Sequence, residues 1–575
     1  MNEMKKLLLA IVAVVMCCPM ALAVPAKPIP FPHKQSDGST VTLVMRGGKF
    51  NHSLMTLDGL SVAMDENGDY CYTADGMLSD VIAHDQGHRD IQETAFITAY
   101  HEQITIGASR RSSPRREESN SHPQVPTTGL PRIPIILVNY TDVKFIDTDP
   151  VATFENQFNE KEYSCLHYFE TQSRGQFSPK FEILGPIELS NNRAYYGGND
   201  YQGYDMHLGD MIIEACESID DRVDFADYDN DGDGLVDVVV VLYAGVGEAQ
   251  AWRTVPESVW PCQWDMQECY DWGYSNSGPF QLDGMTIDKF AVFNELEGSY
   301  NTSTSIDGVG TFCHEFSHCL GLPDFYHTAN GFVYGMSTWD IMDNGCYNNN
   351  GHTPAGYSSY ERHYMGWMDL IDPVENTKYV MAPLNTHEGT AVKVVNDANS
   401  DEYYLLEYRT KTGWDAYLAA EGILILHVDY DKNAWDNNTP NNIGSHPRMS
   451  IIAADNVWTG FSNSTDTWPL GAKDSLTNNS TPPAMVYRGG FMNKPITKMK
   501  VDTLQNMASF WYMKAPSLPG DVDGDGEVNI SDISAIIDIL LRGGSEDAMS
   551  QADVNGDGEV NIGDINTVID IILRG

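Results

Sequence analysis

Residues 314–324 read HEFSHCLGLPD, which is the pattern H-E-x-x-H-x-x-G-x-x-D. Residues four apart share one face of a helix, so His314 and His318 can present both imidazoles to a single metal ion. Glu315 lies one position along, where its carboxylate can act as a general base beside the ion. Asp324 offers a third ligand, and a fourth coordination position stays open for water. The spacing therefore predicts the catalytic zinc site of a hydrolase.

A bare H-E-x-x-H pattern also occurs by chance in unrelated helices. The glycine and the acid that follow favour the metal site. Gly321 can turn the chain sharply after the helix, which lets Asp324 return to the histidines at metzincin spacing. A core helix without a metal would have to bury two histidines and a glutamate at a high cost in free energy. His327 and Glu361 stay open as alternative third ligands, although the spacing favours Asp324.

Residues 337–345 read STWDIMDNG, a polar turn that carries one methionine. The segment looks like the Met-turn of metzincins, in which a methionine forms the hydrophobic floor beneath the zinc histidines. Met342 is the matching residue, and we expect it to pack rather than to react. Tyr347, just beyond the turn, is a candidate donor to the substrate oxyanion.

Residues 1–23 have the organisation of a signal peptide. Lys5 and Lys6 precede an apolar run, and the sequence ALA at residues 21–23 offers a small-residue cleavage site. No other run approaches the about 20 apolar residues of a membrane span. We therefore expect a secreted protein, either extracellular or associated with the cell surface, that has no membrane-spanning segment.

The balance of charge excludes two classes of partner. The chain has 35 basic and 81 acidic residues, a formal net charge of −46. Such a chain repels nucleic acid and anionic membrane surfaces. Eight of its ten cysteines lie beyond the signal peptide; Cys262 and Cys269 could close a short loop, although pairing cannot be read from sequence.

A chain of 575 residues is too long for one core. Residues 24–125 read as a propeptide, because short β-strands and turns up to about Tyr100 precede the basic linker at 110–116. A protease with an exported β-rich N-terminal unit and an exposed linker suggests a zymogen. A permanent accessory domain is the alternative. Cys71 could be a thiolate latch on zinc, but its strand setting favours simple packing.

Residues 126–370 are the predicted catalytic domain, which begins with a buried strand at 132–140. Within it, residues 228–237 read YDNDGDGLVD and precede an apolar strand. Position twelve of this loop is Val240 rather than glutamate, so the loop is not an EF-hand. It still offers a candidate structural calcium site with the ligands Asp229, Asp231, Asp233 and Asp237. Residues 371–514 then read as a β-sandwich-like domain.

Residues 519–575 contain an internal duplication of an acidic loop and an apolar helix. Oxygen ligands at loop positions 1, 3, 5, 9 and 12, with glycine at position 6, suit calcium. The predicted ligands are Asp521, Asp523, Asp525, Asn529 and Asp532 in the first loop, and Asp553, Asn555, Asp557, Asn561 and Asp564 in the second. We expect the helices to pack through Ile533, Ile536, Ile537 and Leu540 against Ile565, Val568, Ile569 and Ile572.

Taken together, the chain resembles the immune inhibitor A family of secreted bacterial metalloendopeptidases, followed by a type I dockerin. The matching segments are HEFSHCLGLPDFY from His314, DFADYDNDGDGLVD from Asp224, TWDIMDNG from Thr338, the Gly366-Trp367 pair and DGSTVTLVMRG from Asp37. The chain from Glu402 is similar to the β-rich region after the family's catalytic domain.

The resemblance implies a multidomain α+β protein. It would contain a β-rich propeptide, a metzincin-like zinc protease domain, a β-sandwich-like domain and a small all-α dockerin with paired calcium loops. It also implies zinc ligation by His314, His318 and Asp324, with Glu315 as the base for peptide hydrolysis. The dockerin implies a cohesin-type protein partner.

Two other classes of function remain as alternatives. The chain could be a dockerin-bearing scaffold that displays a protease fold, although an intact Glu315 argues against a decayed enzyme. It could also be a component of a polysaccharide-degrading assembly. The sequence shows no pair of carboxylates in a sugar-binding frame, which a glycosidase would need.

Overall fold

The computed structural model describes residues 22–49, 51–74, 77–99, 124–201, 203–328, 335–457, 462–514, 519–523, 528–544 and 546–574. These residues form two compact units. The first runs to Pro373 and resumes with Lys378–Phe510, and the second combines Val374–Thr377 with the chain from Trp511 onward. Most of the predicted signal peptide, and the basic linker, lie outside the described residues. No helix in the described part of the chain has the length and apolarity needed to cross a membrane.

A six-stranded mixed sheet, the central sheet, organises the first unit. Its strands in spatial order are Leu22–Ala23, Cys262–Asp265, Lys289–Leu296, Val239–Val246, Arg132–Asn139 and Lys180–Glu188. The last four are parallel, and the first two run antiparallel to their neighbours. A separate hairpin pairs Phe280–Leu282 with Met285–Ile287. Every residue of Val239–Val246 is buried, as expected for an inner parallel strand with a continuously apolar sequence.

The chain between residues 150 and 364 also contains the helical segments of this domain. They are Pro150–Glu155, Asn156–Glu160, Cys165–Gln172, Arg193–Gly197, Leu208–Glu217, Phe225–Tyr228, Glu248–Ala251, Met266–Trp272, Gly310–Cys319, Ser337–Trp339, Asn344–Gly351 and Ser359–Tyr364. Gly310–Cys319, hereafter the motif helix, is buried throughout. Phe312 and Phe316 stack on one side of it, 5.4 Å apart, and both contact the ring of Phe181. The motif histidines lie two positions further along and therefore face the opposite side.

Residues 31–82 form a six-stranded antiparallel sheet in which each strand pairs with the next. The strands are Phe31–Lys34, Thr40–Gly48, Asn51–Thr56, Ser61–Met64, Tyr70–Ala74 and Met77–Ile82, and the helical segments Gln86–His88 and Ile91–Ala99 follow. Gly38, Gly59 and Gly68 lie in the tight turns with φ of 91°, 85° and 89°, a conformation that glycine adopts without strain. The β-rich N-terminal unit predicted from these turns is therefore present.

Residues 377–512 are also rich in β-strands. One antiparallel sheet contains Ala391–Asn396, Asn399–Arg409, Gly422–Asp429 and Met449–Ile451. A second has the order Thr377–Met381, Met507–Tyr512 and Ile496–Asp502; Met485–Val486 pairs with Gly490–Phe491, and Gly413–Tyr417 and Lys432–Asp436 are helical. Leu405, Leu424 and Met449 belong to the same continuous core as the central sheet. This shared core lets the β-rich region position residues beside the motif helix. The predicted boundary between residues 370 and 371 stays a prediction.

The second unit contains the helices Ile530–Arg542, Glu546–Ala552 and Ile562–Arg574. Its buried core consists of Val522, Ile536, Ala552 and Val568. The packing predicted for Ile537 and Leu540 is wrong, because these side chains are 42% and 43% exposed; their counterparts Ile569 and Ile572 are exposed too. The helix Glu546–Ala552, which we did not predict, supplies Ala552 to the core. The buried face therefore shifts toward Ile539, which packs there instead.

Candidate metal centre and active-site cleft

The motif helix and the turn after it bring three potential metal ligands together. His314, His318 and Asp324 are buried, and one ligand atom of each lies within 4.8 Å of the others. Nε2 of His314 is 3.1 Å from Oδ1 of Asp324, and Nε2 of His318 is 3.4 Å from the same oxygen. We refer to these three residues as the ligand cluster.

Backbone carbonyl groups orient both imidazole rings. Nδ1 of His314 donates to the carbonyl oxygen of Ile341 at 2.7 Å, and Nδ1 of His318 donates to that of Leu322 at 2.7 Å. These bonds place the ring protons on Nδ1 and direct the Nε2 lone pairs at Asp324. Nε2 of His318 is buried and makes no hydrogen bond within the described part of the chain. Two lone pairs and a carboxylate that converge in this way fit a bound cation.

Gly321 reverses the chain between the motif helix and Asp324. The helix ends at Cys319, and Gly321 has a φ of 94°, where a side chain would be strained. Its amide donates to the carbonyl oxygen of His318 at 2.9 Å. The reversal carries Asp324 back to the histidines, in the way that the spacing predicts.

Asn438 fixes the orientation of Asp324. Its Nδ2 donates to Oδ2 of Asp324 at 2.6 Å, and its Oδ1 accepts from the Asp324 amide at 2.7 Å. Oδ1 of Asp324 is thereby left for the histidines. Asn438 lies in the β-rich region, 114 positions from its partner, and no local motif marks it, so sequence reasoning missed it.

The two alternative ligands are not part of this group. Glu361 lies in the first turn of Ser359–Tyr364 and accepts from the amide and hydroxyl of Ser358 at 2.6 and 3.0 Å. Burial of Glu361, followed by the negative charge of Asp340, raises the pKa of Glu361 well above its ordinary value. His327 is likewise absent from the group among the described residues. The geometry therefore favours Asp324 as the third ligand.

Met342 lies fully buried within the predicted Met-turn. Its carbonyl oxygen accepts from the amide of Phe325 at 2.8 Å, and its amide donates to Oδ1 of Asp340 at 2.8 Å. The preceding residue, Ile341, provides the carbonyl group that orients His314. The turn thus supports the ligand cluster through its backbone.

Glu315 is fully buried beside the ligand cluster. Its Oε1 accepts a hydrogen bond from the amide of Val24 at 2.6 Å. Burial, with a smaller contribution from the negative charge of Asp324, raises the pKa of Glu315 well above its ordinary value. A cation at the ligand cluster would oppose that rise and favour the carboxylate form that a general base needs.

The segment around Val24 lies against Glu315 as an added edge strand of the central sheet, and we call the space that it fills the cleft. Leu22–Ala23 pairs antiparallel with Cys262–Asp265, and Ala23 lies opposite Cys262. Ala23 is 3% and Val24 0% exposed. Addition of a strand to an open sheet edge is a common way of binding an extended peptide. This edge of the central sheet can therefore hold a peptide backbone next to the ligand cluster.

The peptide bond between Ala23 and Val24 is held at both ends. Its amide nitrogen donates to Glu315 at 2.6 Å, and its carbonyl oxygen accepts from the hydroxyl of Tyr326. Tyr326 is only 7% exposed. A buried carboxylate and a hydroxyl donor therefore meet one peptide group, an arrangement that suits acyl transfer.

Two further side chains hold the segment beyond this bond. Nε1 of Trp260 donates to the carbonyl oxygen of Val24 at 3.1 Å, and the hydroxyl of Tyr347 donates to that of Pro25 at 2.8 Å. Tyr347, which we singled out as an oxyanion donor, thus contacts the chain two residues further along. Tyr326 instead contacts the carbonyl oxygen of Ala23, and its place just after the motif was the available clue.

The cysteines do not take part in the cleft chemistry. All eight described cysteines are buried and free, so Cys262 and Cys269 do not close a loop. Cys71 lies opposite Ala63 in the N-terminal sheet. Burial raises the pKa of Cys71 to about 11, which disfavours a thiolate latch and favours packing.

The acidic loop at 228–237 gathers three of its four predicted calcium ligands. Oxygen atoms of Asp229, Asp231 and Asp237 lie within 4.8 Å of one another. Burial, followed by the charges of Asp231 and Asp229, raises the pKa of Asp237 to about 6. Hydrogen bonds from Asn230 oppose this rise. Asp233 is exposed, and its Oδ1 accepts from the amide of Leu235 at 2.8 Å.

The first duplicated loop gathers Asp521, Asp523 and Asp532 within the same distance. Asp532 is fully buried, and its Oδ1 accepts from the amide of Val522 at 2.6 Å. Asn529 caps the following helix, because its Oδ1 accepts from the amide of Ser531 at 2.8 Å. Asp525 lies outside the described residues.

The second duplicated loop is held by hydrogen bonds of its own. Oδ1 of Asp553 accepts from the amide of Asp557 at 3.0 Å. Asp564 is buried and accepts from the amides of Asn555 and Asn561 at 3.1 and 2.8 Å. In the described part of this loop, no three acidic side chains come within 4.8 Å of one another.

The ligand cluster and most strands of the central sheet lie within a recognisable family domain. Residues 138–368 match the immune inhibitor A peptidase M6 catalytic domain. The chain carries an M6 peptidase domain. Residues 519–573 match the type I dockerin domain, so this M6 peptidase domain and a dockerin occur in one chain, as the motifs predicted.

The curated proteins that are similar to this chain include PrtV and immune inhibitor A. The pre-pro-metalloprotease PrtV of Vibrio cholerae serotype O1 is 26% identical over 249 residues, which cover 40% of this chain and 26% of PrtV. Immune inhibitor A of Bacillus thuringiensis subsp. alesti is 23% identical over 297 residues, which cover 42% of this chain and 41% of that protein. The chain therefore spans less than half the length of either relative.

Proposed function

We propose that this chain is a secreted zinc metalloendopeptidase of metzincin type, made as a zymogen and tethered through its dockerin to a cohesin-type protein. One observation carries the proposal. The Ala23–Val24 peptide bond lies with its nitrogen 2.6 Å from Oε1 of Glu315 and with its carbonyl oxygen on Tyr326. Peptide hydrolysis must engage these two atoms.

His314, His318 and Asp324 would hold the zinc ion. Two imidazole nitrogens and one carboxylate oxygen suit zinc in a catalytic site that keeps an open position. When bound, zinc would act as a Lewis acid that lowers the pKa of water toward about 7 and polarises a carbonyl group. The turn at Gly321 and the buried Met342 support the metzincin assignment.

The side chains of the cleft would carry out the remaining chemistry. Glu315 accepts a proton from the attacking water and passes it to the leaving nitrogen, which it can reach because it already contacts the amide of Val24. The hydroxyl of Tyr326 donates to the carbonyl oxygen as negative charge develops there. The edge strand Cys262–Asp265 holds the substrate backbone extended and antiparallel.

Residues 24–125 would be the inhibitory propeptide. The chain at Val24 and Pro25 fills the cleft and prevents another peptide from entering it. A signal-peptidase cut after Ala23 would leave the α-amino group of Val24 beside Glu315, where it would continue to block the base. A second cut in the basic linker at 110–116 would then be needed to release activity.

N-terminal sequencing of the active secreted form tests the zymogen. We expect its first residue to lie within or after the basic linker. A fully active species that begins at Val24 would contradict the inhibitory role and leave the N-terminal sheet as an accessory domain.

Metal-dependent cleavage tests the activity itself. The processed chain is assayed on a peptide library before and after treatment with a chelator, and then with zinc or calcium added back. We expect the chelator to abolish cleavage and zinc, but not calcium, to restore it. Cleavage that is unaffected by complete metal removal would contradict the proposal.

The remaining acidic groups would bind calcium. Asp229, Asp231 and Asp237 would form a structural site in the protease domain, with Asp233 as a fourth ligand. The two dockerin loops would each bind one ion through the predicted positions. The two helices also expose apolar side chains at equivalent positions of the repeats, which are Ile530, Ile537, Leu540 and Leu541 with Ile562, Ile569, Ile572 and Leu573. Such a surface supports a protein partner.

A further inference from the structure

A buried cation of the N-terminal segment occupies an anionic pocket beside the cleft. Lys49, at the end of the strand Thr40–Gly48, is 2% exposed. Its Nζ donates to Oδ2 of Asp205 and lies 3.6 Å from Oε2 of Glu248. Asp205 is 1% and Glu248 6% exposed. Two buried carboxylates therefore share one ammonium group.

Two carboxylate oxygen atoms of this pocket can each accept a further hydrogen bond. Oδ1 of Asp205 and Oε2 of Glu248 are buried and have no hydrogen-bond partner within the described part of the chain. The other oxygens are engaged, because Oδ2 of Asp205 also accepts from the amide of Trp260 at 3.3 Å and Oε1 of Glu248 accepts from Asn199 at 2.7 Å.

Lys49 provides the compensating charge for this pair. Burial raises the pKa of Asp205 and of Glu248, and the charge of Lys49 opposes that rise. Among the described residues, Lys49 is the only lysine or arginine within ion-pair distance of either carboxylate. Loss of Lys49 would leave the pair in need of a proton or another cation.

The pocket lies along the path of the bound segment. Trp260, whose amide binds Asp205, also donates from its indole to the carbonyl oxygen of Val24. Ala249, the neighbour of Glu248, accepts from the amide of Lys27 at 3.0 Å. The carboxylates therefore flank the residues that follow the Ala23–Val24 bond, on the leaving-amine side of the cleft.

We propose that Asp205 and Glu248 form a substrate subsite that binds a lysine or arginine side chain on the C-terminal side of the cleaved bond. This inference rests on the proposed function, because Lys49 must leave with the propeptide before a substrate can enter. In the zymogen, Lys49 occupies the subsite. In the processed enzyme, the lysine or arginine side chain of the substrate binds there instead. A charged donor is suited to paired buried carboxylates, and a neutral side chain would leave both unpaired.

The wild-type processed enzyme tests this without any variant. Matched peptides carry lysine or Nε-acetyl-lysine at the first, second or third position after the cleaved bond. We expect kcat/KM for the best lysine peptide to exceed that of its acetylated partner by about tenfold or more, because a site built for a charged donor rejects a neutral analogue. Equal cleavage of the two series would overturn the subsite. Absence of any chelator-sensitive cleavage would overturn the proposed function, and this inference with it.

Two variants then assign the preference to the pocket. Asp205→Asn and Glu248→Gln should each reduce the ratio of kcat/KM for the lysine peptide to that for its acetylated partner at least about fivefold. Glu257→Gln is the matched control, because Glu257 is a neighbouring carboxylate that pairs with Arg193 instead. Retention of the full lysine preference in both pocket variants would overturn the assignment.

Discussion

Asn438 and Asp324 are joined by two hydrogen bonds of 2.6 and 2.7 Å, one to the carboxylate and one from the backbone amide. The pair links the β-rich region to the loop after the motif helix. It leaves Asp324 one oxygen for a metal and prevents rotation of the carboxylate. The β-rich region therefore contributes directly to the ligand cluster.

Asn438→Ala should weaken zinc binding about 10- to 100-fold, the usual effect of losing a group that orients a metal ligand. Competition with a chromophoric chelator measures the affinity. Asn437→Ala is the matched control, since the Asn437 side chain contacts the backbone of Asn433 instead. Asn438 has a φ of 52°, so alanine also costs about 1 kcal/mol of folding stability, which thermal unfolding measures separately. Unchanged zinc affinity would refute the orienting role.

Tyr326→Phe should lower kcat about 100-fold and change KM little, because the lost hydroxyl acts on the carbonyl oxygen where charge develops. Tyr347→Phe should instead raise KM, since that hydroxyl contacts the backbone two residues beyond the bond. Steady-state kinetics of both processed variants on one peptide show which hydroxyl acts on the carbonyl oxygen of the cleaved bond. A larger loss of kcat in the Tyr347 variant would restore our first assignment of the donor.

The local part of this site could be predicted from the sequence. The helical spacing of His314 and His318 places both rings on one face, and Gly321 explains the return of Asp324. Local sequence contains no information on contacts made across the fold. Asn438, the approach of Val24 to Glu315, and the choice of Tyr326 over Tyr347 depend on how distant segments pack.

The same limit applies to the second unit. The duplicated helices were predicted from their apolar period, but Ile537 and Leu540 are exposed, and the short helix Glu546–Ala552 supplies Ala552 to the core. Its sequence, EDAMSQA, has too little apolar periodicity to indicate a packed helix. The metal ligands of both units remain predictions until an ion is measured.

Stability should fall as pH rises from about 4 to about 7. Burial raises the pKa of Asp340 from 3.8 to about 7, although the hydrogen bond from the Met342 amide opposes this rise. The folded protein keeps this proton up to about pH 7, whereas the unfolded chain loses it near pH 4, so unfolding releases a proton between these limits.

Asp340→Asn keeps an oxygen for the Met342 amide but cannot ionise. Its free energy of unfolding, measured with denaturant at pH 5 and pH 7.5, should therefore decline less than that of the wild type. Asp369→Asn is the control, because Asp369 is exposed. An equal decline in all three proteins would show that Asp340 is not the titrating group.

Removal of calcium should loosen the dockerin helices Ile530–Arg542 and Ile562–Arg574. Their loops collect carboxylates that repel one another unless a cation neutralises them. Hydrogen exchange of the full chain with calcium or with a calcium chelator measures this, and the motif helix provides an internal reference. Asp532→Asn should weaken the protection given by calcium, and Asp538→Asn, at an exposed site, should not. Protection independent of calcium would contradict metal-coupled folding.

Turnover of Glu315→Gln, measured together with its zinc content, tests the central claim most directly. The residue is predicted to be the base and not a ligand, so the variant should keep about one zinc ion per chain and lose nearly all activity. Glu217→Gln, at an exposed helix end, should keep both. Zinc retention with less than about one per cent of wild-type turnover is the predicted result. Substantial turnover in the Glu315 variant would contradict the account.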